Sequence, residues 1–344
     1  MTQGVTPISQ EIYNLHMIVF WICVVIGIGV FGAMGWSILY HRKSKGAQAA
    51  NFHESTTIEI VWTVVPLLIL IAIAIPATAT LLNLENTDNA DIEIQVTGIQ
   101  WKWKYTYLDE GVTFVSSLAQ ESRDVMNSDP TGHENYLLDV DKPIVLPINK
   151  KIRFLFNSDD VIHAWWVPEL AVKQDALPGF INDSWAIIEE PGVYRGQCAE
   201  LCGKDHGFMP IVVHAVGEDE YAQWIAEKKA EAAEVAAMAA QEFSMQDLIA
   251  QGETVYQANC AACHGPTGAG IPGAFPAMTG SAIVTGPIDA HIDIVLNGKA
   301  GTAMAAYKGQ LSDVDLAAVI TFERNSLGNS VGDLVQPSAI KNAR

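Results

Sequence analysis

Between positions 198 and 209 the chain carries Cys198, Cys202, His206 and Met209. Two thiolates, an imidazole and a thioether are soft or borderline donors, and such a set selects copper over magnesium or calcium. A second imidazole stands upstream at His163, within Asp160-Val161-Ile162-His163-Ala164-Trp165. A single tetrahedral ion takes about four ligands, and a blue copper site uses two His, one Cys and a weak Met. One Cys is left over from that recipe in the same short loop, and its simplest use is to bridge a second copper. Two other chemistries use the same residues. One is a disulfide between Cys198 and Cys202 in an oxidising compartment. The other is a zinc site, for which Met209 is a poor ligand.

A second set of donors lies at Cys260-Ala261-Ala262-Cys263-His264. This C-x-x-C-H pattern is the signature of covalent c-type haem attachment: the two thiols add to the vinyl groups and the His reaches the iron. A zinc or redox C-x-x-C is the competing use. An electron-carrying haem also needs a sixth ligand, and a thioether there raises its potential. Met278 and Met304 are the candidates. The fifth cysteine, Cys23, lies in an apolar run and reads as a packing residue.

These donors need elements to hold them. Residues 17–39 are uncharged and mostly apolar. As a helix they rise about 35 Å, enough to cross a bilayer core of about 30 Å. A second uncharged run, 60–84, contains Pro66 and Pro76, which membrane helices tolerate. The basic loop Arg42, Lys43 and Lys45 between them predicts a hairpin with that loop in the cytoplasm. Everything after about residue 85 then lies outside the cytoplasmic membrane. The first sixteen residues contain no Lys or Arg and so lack the basic start of a signal peptide.

From Asp91 the period changes. Ile92, Ile94 and Val96 alternate with polar residues, and short runs follow at 143–147, 152–156, 185–188 and 211–216, separated by polar turns. Many short strands of this kind predict an antiparallel sandwich or barrel. Residues 221–227 read as a closing amphipathic helix. The Ala/Glu-rich stretch 227–243 reads as a semi-rigid helical linker to the region carrying the C-x-x-C-H motif. The net charge is −19 and nearly all of the acidic excess lies after residue 85. That balance excludes nucleic acid as a partner and suits a basic protein partner with salt-dependent docking.

The loop 198–209 with its upstream His resembles the dinuclear copper (CuA) site of cytochrome c oxidase subunit II. The resemblance implies that Cys198 and Cys202 bridge two coppers, that His163 and His206 each cap one, and that Met209 and the Glu200 carbonyl complete the set. It further implies that the Glu200 side chain holds a magnesium (or manganese) ion shared with subunit I. Gln100-Trp101-Lys102-Trp103-Lys104-Tyr105 is similar to the family's aromatic segment, which makes Trp101 the point of electron entry. Ile58-Glu59-Ile60-Val61-Trp62 is similar to the start of the family's second transmembrane helix, which places Glu59 at the entrance of a proton pathway. Lys173-Gln174-Asp175-Ala176-Leu177-Pro178-Gly179 resembles a segment at the subunit I boundary. The helix before Cys260 resembles the first helix of class I cytochromes c. Gly301-Thr302-Ala303-Met304 is similar to their ligand loop, so Met304 is the expected sixth ligand, although the family's usual Pro after it is Ala305 here.

The resemblance therefore implies a multi-domain membrane protein of caa type. Residues 1–88 form an N-terminal segment and a transmembrane hairpin, with helices at about 17–40 and 58–84. Residues 89–226 form an all-β cupredoxin-like Greek-key domain, 227–243 a linker, and 244–344 an all-α class I cytochrome c domain. The implied path runs from soluble or membrane-bound cytochrome c to the chain's own haem c, then the two coppers, then the haem-copper centre of subunit I. There oxygen is reduced to water with proton translocation. Implied partners are subunits I and III and membrane lipid, in a bacterial inner membrane with the cofactor domains on the outer face. Three rivals share features: a quinol oxidase subunit II, which lacks the copper ligands; a CuA-type nitric oxide reductase subunit; and a membrane-anchored copper chaperone or sensor, which has no need of an attached haem.

Overall fold

The computed structural model describes residues 3–48, 51, 53–125, 129–299 and 301–344. It divides into two compact units, one of Met1–Asp109 with Ser116–Glu218 and one of Glu110–Val115 with Asp219–Arg344.

The first unit begins with two long helices, α1 (Pro7–Tyr40) and α2 (Thr56–Leu84). Both are long and apolar enough to cross a membrane, and their most apolar windows are not buried inside the protein. Phe31, Ile28 and Ile75 are each at least 70 % exposed, a surface that belongs in lipid or against other apolar helices. The helix expected at 17–40 starts ten residues earlier, at Pro7. Hydropathy misses those turns because they are polar, but their start is capped: Thr6 and Ser9 form a reciprocal capping box with Pro7 at the first helical position. The extra turns tie the hairpin to the β-domain. The Thr6 hydroxyl donates to the Leu170 carbonyl at 3.1 Å, and Val5 N–H to the Glu169 carbonyl at 3.0 Å. At the same end of the hairpin, the Asn83 amide near the end of α2 donates to Glu11 of α1 at 3.1 Å.

Ten strands follow among the described residues: β1 (Ile92–Ile99), β2 (Lys102–Tyr107), β3 (Val112–Ser116), β4 (Ile144–Pro147), β5 (Lys151–Ser158), β6 (His163–Val167), β7 (Val172–Ala176), β8 (Asn182–Ile187), β9 (Gly192–Cys198) and β10 (Pro210–Val216). A short helix, α3 (Gln120–Asp124), precedes β4. The first sheet contains the order β2-β1-β5-β8 and the second runs β4-β10-β9-β6-β7. Parallel pairs, β1 with β5 and β10 with β4, mix with antiparallel ones. Trp165 of β6 packs its ring 5.3 Å from Phe154 and 5.9 Å from Phe156 of β5, joining the sheets through the core. All three rings are fully buried, each contributing about 1.5–3 kcal/mol or more.

The second unit opens with α4 (Glu218–Met238). The expected closing helix and helical linker run together as one continuous helix; alanine, glutamate and lysine propagate a helix once it is nucleated. Phe114 meets Trp224 edge-on at 5.8 Å within this unit. Beyond residue 244 come α5 (Met245–Asn259), α6 (Ala261–His264), α7 (Ile288–Asn297), α8 (Asp313–Asn325) and α9 (Pro337–Ala343). Ser244 and Ser312 cap α5 and α8. The two helices cross at Gly252, where a Cβ would overlap the Ala318 carbonyl. Around that crossing Tyr256, Leu316, Ile320 and Phe322 form one apolar core.

Candidate metal and haem sites

The strand order of the second sheet brings distant residues to one end. His163 begins β6, Cys198 ends β9, and the loop between β9 and β10 supplies Cys202, His206 and Met209. A ligand atom of His163 and the sulfurs of Cys198 and Cys202 lie within 4.8 Å of one another. The two sulfurs are 3.9 Å apart and form no disulfide. Cys202 Sγ is 3.4 Å from His206 Nδ1 and 3.5 Å from Met209 Sδ. Cys198 Sγ is 3.4 Å from the Glu200 carbonyl oxygen. Cys198, Cys202, Met209 and His163 are buried, His206 is half-buried, and the Glu200 side chain is exposed.

The donor set fits copper. His163 is fully buried; its Nε2 lies 2.9 Å from Asp160 Oδ1, while its Nδ1 has no hydrogen-bond partner. An orphaned, buried imidazole nitrogen beside two thiols costs free energy unless something binds it. Burial pulls the His163 pKa down, but the bond to Asp160 and the nearby Cys198 outweigh that and raise it. Asp160 is lowered: burial opposes ionisation, and the His163 bond with backbone N–H bonds from Gln100 and Val161 overcomes it. The two thiols are split. A hydrogen bond from Cys202 holds Cys198 below the usual thiol range, and the same bond, with burial and the Cys198 charge, pushes Cys202 above it. Both thiols must give up their protons to bind metal.

Trp101 is half-buried, and its Nε1–H donates to the Cys202 carbonyl at 3.2 Å. Glu59 is not brought to this site. It stands in the first turn of α2, about 36 Å along that helix from Asn83, with its carbonyl accepting from the Thr63 hydroxyl.

Sequence reasoning passed over three neighbours of the loop. Asp160 orients His163, Gln100 donates from Nε2 to the Cys202 carbonyl at 2.8 Å, and Trp103 donates from Nε1 to the Met209 carbonyl at 3.2 Å. Asp160 lay three residues before a recognised ligand, and Gln100 and Trp103 flanked Trp101. The weak signal was this adjacency, whereas the contacts depend on strand pairing.

In the second unit Cys260 caps α5, and Cys263 and His264 end the next turn, α6. His264 Nδ1 lies 2.9 Å from the Pro276 carbonyl. Donation there leaves Nε2 with a free lone pair, as an axial iron ligand requires. Tyr256 donates to the Gly265 carbonyl at 2.7 Å and Tyr307 to the Asn259 carbonyl at 2.9 Å, bracketing the turn. Burial, and then the nearby Cys260 and Cys263, raise the Tyr307 pKa. Met304 lies three residues before Tyr307, in a turn closed by Lys299 N–H on its carbonyl at 3.0 Å. Met304 is half-buried, whereas Met278 is only 8 % exposed and belongs to the apolar core. Two thiols one helical turn apart with an oriented imidazole fit a covalent haem.

Family models match three stretches: the transmembrane domain of cytochrome c oxidase subunit II at 1–79, its periplasmic domain at 92–216, and cbb3-type cytochrome c oxidase subunit III at 247–322. A probable cytochrome c oxidase subunit 2 of Rickettsia felis is 38 % identical over 223 residues, 65 % of this chain and 69 % of the relative. Cytochrome c oxidase subunit 2 of Cyanidium caldarium is 39 % identical over 223 residues, 65 % of this chain and 88 % of the relative. The crystal structure of the periplasmic domain of subunit II of cytochrome oxidase of Bradyrhizobium japonicum is 41 % identical, covers 42 % of this chain and 98 % of its own, and has a TM-score of 0.37. The two kinds of cofactor domain imply copper and haem c. The chain belongs to the cytochrome c oxidase subunit II family and carries a cytochrome c domain after its copper domain.

Proposed function

We propose that this chain takes electrons from cytochrome c into its own haem c, passes them to a dinuclear copper, and delivers them to the haem-copper centre of subunit I. Oxygen is reduced to water there, coupled to proton translocation. Family membership itself carries an electron-transfer role in an oxidoreductase complex, a subunit I partner and a cytochrome c donor. It also carries a membrane anchor with the C-terminal domains on the outer face. The finer path rests on one observation: His163 and Cys198 lie beside Cys202, whose sulfur also meets His206 and Met209, so two thiols, a thioether and two imidazoles gather at one end of the second sheet.

In this reading Cys198 and Cys202 bridge the metals, His163 and His206 cap them, and Met209 with the Glu200 carbonyl completes the set. When bound, the copper pair supplies a one-electron couple spread over two metals. The chain's own residues keep that site rigid and dry. The sandwich fixes the ligand strands, burial excludes water, and Trp101 touches the Cys202 carbonyl at the point of electron entry. The exposed Glu200 carboxylate faces a magnesium (or manganese) ion shared with subunit I. His264 and Met304 bind the haem iron, and Glu59 opens the proton pathway. The hairpin (1–88), the copper domain (89–226) and the cytochrome domain (244–344) divide these tasks in a bacterial inner membrane, beside subunits I and III.

Copper and haem analysis with electron paramagnetic resonance on the full chain tests the reading. It expects two coppers and one covalent haem per chain, with one unpaired electron split by two equivalent copper nuclei. A signal localised on one nucleus removes the bridging role from Cys198 and Cys202.

A further inference from the structure

Trp103 belongs to no donor set, yet it touches the copper loop from the opposite sheet. It is fully buried on β2, directly across from Gly98 on β1. Its Nε1–H donates to the Met209 carbonyl at 3.2 Å. Its ring meets that of His163 edge-on, with centroids 5.9 Å apart and planes at 63°. Gly98 completes the contact, since a Cβ there would stand 2.6 Å from His163 Cδ2. The ligands project from β6, β9 and the loop before β10, all on the second sheet. Gly98 and Trp103 therefore form a facing wall supplied by the first sheet.

We infer that Trp103 is a positioning residue that sets the redox potential of the copper pair, by fixing the main chain of Met209 and the face of His163. This rests on the copper assignment proposed above. Met209 sits between the short helical turn His206–Phe208 and the first residue of β10, Pro210. Pro210 has no N–H to donate, so the peptide joining the two residues can be anchored only through the Met209 carbonyl. The indole N–H of Trp103 supplies that anchor. A thioether is a weak ligand whose distance tunes a copper potential, so the residue that holds its backbone governs that distance. The same indole limits how far the His163 ring can rotate. Trp103 thus acts on one ligand from each part of the set without binding metal.

The test compares the full chain, loaded with both cofactors, as wild type, Trp103→Phe and Tyr107→Phe. Tyr107 is a matched control: it lies on the same strand, is equally buried, and donates its hydroxyl to the Val145 carbonyl. Copper content, the copper hyperfine pattern and the midpoint potential of the copper pair are read for each. Trp103→Phe is expected to keep two coppers but change the hyperfine splitting. Its electron affinity should shift by roughly threefold or more, about 28 mV at about 59 mV per tenfold. Tyr107→Phe is expected to unfold more easily while keeping the wild-type splitting and potential. If Trp103→Phe fails to load copper, benzothienylalanine at position 103 replaces the N–H by sulfur within nearly the same shape and is read in the same way. A wild-type potential and splitting in the Trp103 variants, or an equal shift in Tyr107→Phe, overturns the inference alone. A wild-type chain without two coppers overturns the copper assignment and this inference with it.

Discussion

Replacing Gly98 by alanine measures how much copper binding depends on the space beneath His163. The new methyl would lie 2.6 Å from His163 Cδ2 and 2.8 Å from its Cγ, whereas carbon atoms rest at about 3.5–4.0 Å. The ring must therefore retreat by about 1 Å. That retreat loosens its 2.9 Å bond to Asp160 with or without copper, so this loss of about 1.5–3 kcal/mol for a bond to a charged group cancels in the binding difference. With copper bound the metal resists the retreat as well. The overpacking then adds about 1–3 kcal/mol to the loaded state alone, which weakens copper binding by about 5- to 150-fold. Competition for copper against a chromophoric chelator, with the full chain in detergent, reads this difference directly. Copper affinity within twofold of wild type would refute the argument, because it would mean that the ring is not confined by Gly98.

Gly252→Ala should destabilise the haem region by about 1–3 kcal/mol, since the added atom meets the Ala318 backbone and lies 2.6 Å from Phe322 Cβ; an unchanged melting temperature at the haem absorption band would contradict this. The Asp160–His163 pair sets a pH window for the copper-free chain. Asp160 is lowered from 3.8, so its contribution is present above that value and fades as pH falls below it; His163 is raised from 6.5, so its contribution is present below 6.5 and fades as pH rises through the higher folded value. The stability gap between wild type and Asp160→Asn should therefore be widest between about pH 4 and 6.5, and denaturant unfolding that shows a flat gap from pH 3 to 9 would be inconsistent with the pairing. Met304→Ala should lower the haem potential and alter the reduced spectrum. Met278→Ala should cost about 2–5 kcal/mol of stability and leave that spectrum alone; the opposite pattern would exchange the roles of the two residues.

Much of the architecture was legible because its signals are local in the chain. Two apolar runs separated by Arg42, Lys43 and Lys45 mark the hairpin, and alternation marks β5, which has one face in the core, and the first half of β1, before its last four residues become buried on both faces. Alternation fails for β6, which is buried at four of its five residues, so its strand character did not show as a period. The start of α1 was missed for the opposite reason: its first turns are polar, and their helical state follows from the Thr6–Ser9 cap and from docking on residues 169 and 170. The helical character of 218–238 was legible in its Ala, Glu and Lys content, because helix propensity stays high where the composition changes.

The sequence by itself determined the chemistry. Cys198, Cys202, His206 and Met209 share one loop, and Cys260, Cys263 and His264 share one turn, so their identities and spacing already select copper and haem. Only the tertiary structure decided what surrounds them. His163 reaches the loop because β6 pairs with β9, and Trp103 and Gly98 reach His163 because the first sheet packs across the core. Those contacts join residues from about 35 positions apart, as His163 with Cys198, to 106 apart, as Trp103 with Met209. Spacing along a chain cannot encode them, because strand register and sheet packing are set by the burial of all the core side chains together.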